Sequence, residues 1–394
     1  MPETEERSAG EQRYIYRSAA WNDAYDSFPL TLAWLDSGFS AGEHAGIQLS
    51  VQLDNDDIAS LSAGIAGPNR PMRDDSLIYP LCASKPMLAA AIIRAMEGGA
   101  LSLSNRVSSY IPELRNGVAG NLTFLQCLAH AVDGVDLRVE PSSESMMTSL
   151  PAAVLVILRR LRMYGESWRA PANYLTWPYT LMAAALENAT QTPVSRFMED
   201  EVFIPLGMKN SHLGMSTDAV ASYRARDSLV TLYNCDSRTA AEPIPGFGDD
   251  SPTLELAIPS MGVRTTTADI VRFYGALLAA RAGDARSWLS ESSALMMTAR
   301  HRAGIPEESG AMIDFGLGVE LESRHYDKLW MSFGPSCDLA TFGHKGQSCF
   351  MSFADPRWKL KVAIFINGTI MGMAHGRRVF TFAQKLYQDL GLLP

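Results

Sequence analysis

The stretch Tyr79–Ile93 reads YPLCASKPMLAAAII, and the fold turns on it. From Met87 to Met96 the residues are almost all apolar, and Gly98-Gly99 follows. That pattern predicts a buried helix closed by a glycine. Immediately ahead stands Cys82-Ala83-Ser84-Lys85. Residues three apart share one side of a helix, so Cys82 and Lys85 point the same way and Ser84 points off that side. A thiol in the first turn feels the positive end of the helix. An ammonium one turn on adds a second pull toward the thiolate. The pair is a candidate nucleophile and tuning cation. A small core cysteine is the plainer reading, and the rest of the chain decides between them.

Working outward, Ile47, Leu49, Val51 and Leu53 keep a strict period of two. Asp54-Asn55-Asp56-Asp57 supplies turn chemistry, and Ile58 and Leu61 resume a strand, which predicts a β-hairpin. Near the other end, strands at Ser348–Phe353 and Leu360–Ile366 flank a turn at Asp355-Pro356-Arg357, and a helix follows over Arg377–Leu390. Residues 13–40, Val154–Met163 and Tyr179–Leu186 read as helical, and 1–12 as a disordered tail. The expectation is an α/β (α+β) protein whose antiparallel sheet is built from both termini and flanked by helices. Residues 13–100 and 301–394 would form the sheet domain. Residues 101–300 would form a mainly helical insertion, with the active site in the groove between them.

Composition narrows the function. The chain has 394 residues, ample for a core without staples. Its net charge is −9, which argues against a nucleic-acid or anionic-membrane binder. The N-terminus lacks the basic and apolar regions of a signal peptide, and no apolar run reaches the ~18 residues of a membrane span. Five cysteines (82, 127, 235, 337 and 349) show neither C-x-x-C nor Cys/His ligand spacing, so no metal or other cofactor is expected. Free thiols without a leader predict a cytoplasmic protein.

The motifs, taken in order, carry a resemblance. YPLCASKPMLAAAII resembles the S-x-x-K nucleophile helix of the serine β-lactamase and penicillin-binding-protein superfamily, in its class C β-lactamase-like esterase and acyltransferase branch. Leu101–Leu114 (LSLSNRVSSYIPEL), Leu125–Val135 with His130, Val202–Met208 (VFIPLGM), Pro259–Leu278 (PSMGVRTTTADIVRFYGALL) and Phe315–Val319 (FGLGV) resemble its further landmarks. The ordered set is specific where each member is weak. The resemblance implies a β-lactamase/transpeptidase-like fold. It implies that Tyr174 is the catalytic tyrosine, with Tyr179 packing nearby. Thr176 stands where the tyrosine-x-asparagine motif has Asn, as in the esterase-like branch. His344-Lys345-Gly346 fits the third motif in its His-x-Gly form. The oxyanion hole would be the backbone N–H groups of Cys82 and Gln347. Thr176, Trp177, Lys345 and Gly346 would line the substrate.

The departure is the nucleophile. The family's serine is Cys82 here, and no Lys in the chain has a Ser three residues before it. A working Cys82 suits acyl transfer, because exchange between thioesters is nearly balanced in free energy. The expected partners are a small-molecule acyl donor, such as a CoA or carrier-protein thioester, and an amine or hydroxyl acceptor. Lys85 would tune the thiolate and Tyr174 relay the proton. A Cys82 esterase or thioesterase, or an inactive binding scaffold, are the alternatives. Arg159, Arg160, Arg162 and Arg169 form a basic cluster that fits phosphates or an acidic carrier, and equally a solvated helix face. Trp168 and Trp177 flank Tyr174 and suggest an apolar acyl pocket.

Overall fold

The computed structural model describes residues 15–117, 119–132, 149–164, 172–236, 241–307, 309–328, 331–370 and 372–393. The expected tail at 1–12, together with Trp168 and Arg169, lies outside the described residues.

One eight-stranded sheet forms the frame. Its strands in chain order are β1 (Gly46–Leu53), β2 (Asp56–Gly67), β3 (Arg70–Pro71), β4 (Asp314–Phe315), β5 (Glu320–Leu321), β6 (Phe342–Gly346), β7 (Phe350–Asp355) and β8 (Leu360–Asn367). The spatial order is β3-β2-β1-β8-β7-β6-β5-β4. The hairpins from the two ends of the chain meet where β1 pairs antiparallel with β8, from Gly46 opposite Asn367 to Leu53 opposite Leu360. The sheet expected from both termini is therefore present. The first turn is tighter than its four-residue reading. Only Asp54 and Asn55 turn, with Asp54 in the left-handed backbone region that aspartate tolerates (φ 51°), while Asp56 and Asp57 already belong to β2.

The longer helices that position the site are α1 (Pro29–Ser40), α2 (Lys85–Glu97), α3 (Leu150–Tyr164), α4 (Trp177–Thr190), α5 (Thr267–Arg281) and α6 (Met373–Asp389). Side chains alternate across a strand, so β1 and β8 serve two cores. Ile47, Leu49 and Val51 join Val362, Ile364 and Ile366 in a core with Leu32 and Leu35 of α1 and Phe382 and Leu386 of α6. The opposite face of β1 is polar and is also buried. There Gln48 Oε1 accepts from the Thr267 N–H at 2.7 Å, and Ser50 Oγ lies 2.8 Å from Thr267 Oγ1. Helix α5 falls inside the 101–300 stretch, yet it covers this face of the sheet.

Helix α2 is buried along its whole first half, Lys85 to Ile93. A helix apolar all round belongs inside a protein. Pro86 sits in its first turn, where a missing N–H leaves no hydrogen bond unmade. The expected stop is present: Gly98 caps the helix and Gly99 takes φ 77°. Helices α3 and α4 share this second core with α2. Among the described residues, no helix is long and apolar enough to cross a membrane.

Candidate active site

Cys82 lies in a short 3-10 turn, Leu81–Ser84, that runs directly into α2 at Lys85. The shared side predicted for Cys82 and Lys85 thus spans a junction of two helix types. Leu81 holds a left-handed backbone, φ 50°, which is strained for a branched residue and turns the chain sharply at Cys82. Ser84 points away, as expected: it is buried, and its Oγ accepts from the Val263 N–H at 3.2 Å.

Lys85 is fully buried. Its Nζ donates to the Ser260 carbonyl at 3.1 Å and lies 4.9 Å and 5.5 Å from the ring centres of Tyr174 and Tyr179. Two aromatic faces and a carbonyl suit an ammonium held away from bulk water. The sequence reading made Tyr179 a packing residue. The structure also puts its ring against this cation, and its hydroxyl donates to the Leu128 carbonyl at 3.1 Å.

Tyr174 stands between the thiol and the third motif. Its hydroxyl is hydrogen-bonded to Cys82 and lies 3.3 Å from His344 Nε2. His344 Nδ1 lies 2.7 Å from the Lys345 carbonyl. A carbonyl only accepts, so Nδ1 carries the ring proton and Nε2 accepts from the Tyr174 O–H. The chain of hydrogen bonds therefore runs Cys82–Tyr174–His344. Burial pushes the Tyr174 pKa well above its ordinary value, and the neighbouring Cys82 adds to the rise. Burial, reinforced by the Lys85 charge, pushes His344 down to about 4. Tyr174 is thus a protonated phenol and His344 a neutral imidazole near pH 7.

Strand β6 is pressed onto the thiol turn. A Cβ on Gly346 would sit 2.2 Å from the Pro80 carbonyl oxygen, so only glycine permits this approach. Lys345, partly exposed, pairs with buried Glu320 at 2.7 Å, and Ser332 Oγ hydrogen-bonds the same carboxylate. Gln347 is exposed in the turn after β6. Thr176 is half-buried at the start of α4. Trp177 is 2% exposed and packs in the helical core. Arg159 and Arg162 are exposed on α3, and Arg160 is half-buried.

Three neighbours carried no sequence assignment in the site. Ser260 supplies the carbonyl for Lys85, and Glu320 anchors Lys345. His130, which lies in one of the family-like segments, stacks on Tyr174 with ring centres 4.3 Å apart. Spacing along the chain could not reveal these contacts, because they join segments separated by tens to hundreds of residues. Among the described residues, no cluster of three or more His, Cys, Asp or Glu is arranged to hold a metal ion.

Likeness to known proteins gives the family. An esterase, EstB of Burkholderia gladioli, is 28% identical over 169 residues, 36% of this chain and 39% of its own length. A β-lactamase of Psychrobacter immobilis is 23% identical over 217 residues, 53% of this chain and 47% of its own. The chain thus spans less than half the length of these two curated relatives. Among solved structures, EstCE1, described as a hydrolase with promiscuous acyltransferase activity, superposes with a TM-score of 0.73 at 17% identity, covering 93% of this chain and 100% of that one. A family VIII carboxylesterase gives 0.71 at 18% identity, covering 95% and 100%. The Beta-lactamase family model matches residues 34–381, nearly the whole described chain, and on that match this protein belongs to the Beta-lactamase family.

Proposed function

We propose that this protein is an acyltransferase that forms a thioester acyl-enzyme on Cys82 and passes the acyl group to an amine or hydroxyl acceptor. The observation that carries the reading is the hydrogen-bonded chain Cys82–Tyr174–His344 beside the buried Lys85. Along that chain the Cys82 thiol can pass its proton by way of Tyr174 toward the neutral His344 ring as the sulfur attacks.

In the first half-reaction Cys82 Sγ attacks the acyl carbon of the donor, a C–S bond forms, and the carbonyl π pair moves to oxygen. The oxyanion meets the N–H groups of Cys82 and Gln347. Cys82 is the second residue of the Leu81–Ser84 turn, and the first N–H groups of a helical turn lack internal acceptors. Collapse breaks the bond to the leaving thiolate or alkoxide, which takes a proton through Tyr174. In the second half-reaction the acceptor gives its proton to Tyr174 and attacks the thioester, and Cys82 leaves. A protonated phenol flanked by a neutral imidazole can donate and accept in turn. Thr176, Lys345 and Gly346 are the proposed substrate contacts; Trp177, expected beside them, is taken up by the helical core. The donor is proposed to be a thioester of CoA or of a carrier protein, with the exposed guanidinium groups of Arg159 and Arg162 available to its phosphates or acidic side chains.

A second reading, hydrolysis with water as acceptor, is favoured by the likeness to EstB. Intact-mass spectrometry with a panel of acyl thioesters and esters tests both. A covalent adduct on the native protein that is absent from Cys82→Ala supports the nucleophile. No adduct, with activity unchanged in Cys82→Ala, overturns it. Product analysis with and without an added amine separates transfer from hydrolysis.

A further inference from the structure

His130 is 1% exposed, and neither of its ring nitrogens has a hydrogen-bond partner among the described residues. Leaving a buried polar group unmatched is costly, so the ring is held there by something other than hydrogen bonding. Its contacts are aromatic. It stacks on Tyr174 (4.3 Å, 26° between planes) and on Tyr179 (5.2 Å, 25°), and meets Phe315 edge-on at 4.8 Å. Its backbone is left-handed, φ 50°, a conformation that needs outside support in a non-glycine residue. Arg302 supplies that support. It is fully buried, donates from Nη1 to the His130 carbonyl at 2.9 Å, and is itself held by Glu307 at 2.7 Å. The neighbouring Leu128 carbonyl accepts from both the Tyr179 hydroxyl and the Gly318 N–H, so the whole turn is pinned.

We propose that His130, fixed by Arg302, is a positioning residue for Tyr174. Its ring sets the plane of the phenol so that the hydroxyl reaches Cys82 and His344 together. The Tyr174 hydroxyl is shared between two partners, and a small tilt of the ring breaks one of the two bonds. A misplacement of about 1 Å in such a relay costs on the order of 10²-fold in rate. The shape and flatness of the ring perform this role, not its nitrogens.

The inference rests on the Cys82 reading, and the test keeps the two apart. Turnover of p-nitrophenyl acetate and acyl-adduct formation are measured in the full chain, in His130→Ala and in His130→Phe, with a thermal melt of each to confirm folding. Positioning predicts a kcat lowered roughly 10- to 100-fold in His130→Ala with KM within about twofold, and recovery to within about threefold of native in His130→Phe. Equal kcat in folded His130→Ala overturns the proposal, as does an equal loss in His130→Phe. If His130→Ala does not fold, the phenylalanine variant alone decides. An absent adduct in the native protein overturns the Cys82 reading and this inference with it. A normal adduct rate in both native protein and His130→Ala overturns this inference only.

Discussion

The two faces of the central sheet are built on opposite terms. Toward α1 and α6, strands β1 and β8 present Ile47, Leu49, Val51, Val362, Ile364 and Ile366 to an apolar core. Toward α5 and α2, the other face looks into a second core that also holds Lys85, His130, His344 and Tyr179, all buried, with Tyr174 half-buried among them. The first face contributes stability, since each large side chain withdrawn from water is worth about 1.5–3 kcal/mol. The second gives up part of that gain to hold titratable groups out of water, where their pKa values move and their charges act strongly. The titratable groups are thus set into the larger of the two apolar cores.

That contrast can be broken at either face. Cys82→Ala should have the largest effect, a loss of turnover on the order of 10³-fold or more, because nothing replaces a missing nucleophile. Steady-state kinetics on an activated ester checks it, and the melting temperature should hardly change. Tyr174→Phe should follow at roughly 10²- to 10³-fold, since it removes only the proton relay and leaves the thiol. A variant as active as the native protein would remove Tyr174 from the mechanism. At the other face, Phe382→Ala should lower stability by about 3–5 kcal/mol in urea unfolding while leaving the rate per folded molecule unchanged. A selective loss of activity with unchanged stability would contradict the division of labour.

A pH dependence of stability follows from the buried imidazoles. Burial lowers His344 to about 4, and His44 and His375 to about 3, and pushes His130 well down also. The unfolded chain binds protons at these residues from a pH of about 6.5 downward, whereas the folded chain resists them. Their contribution to stability is therefore complete above that pH and is lost as the pH falls through the interval toward 4. Urea midpoints should drop steadily between pH 7 and pH 5. A midpoint constant over that range would show that these imidazoles are not held neutral by the fold.

The strand hairpins were legible: β1 and β2 follow the alternation at Ile47–Leu53 and the strand resumed at Ile58, and β8 starts at Leu360 as expected, while β7 runs Phe350–Asp355, two residues later than the expected Ser348–Phe353, so that Asp355 ends the strand instead of opening the turn. Helix α2 was legible from an apolar run with a proline at its start and a glycine at its end. Other features were not local. The short strands β4 and β5 have two residues each, too few for any period to register. The residues of helix α5 resemble a family landmark, but nothing in their order along the chain marks them as the cover of a polar sheet face. The contacts of Ser260, Glu320 and His130 depend on which segments lie side by side.

The sequence by itself determined the sheet from both ends, the apolar helix and the placing of Cys82 and Lys85 on one side of it, because those depend on periodicity and on neighbours three residues apart. Only the tertiary structure decided that Tyr174 links Cys82 to His344, that Gly346 lets β6 close on Pro80, and that Lys85 lies against two tyrosine rings. Those facts join residues 82, 174 and 344, and distance along a chain says nothing about distance in space until the core has packed.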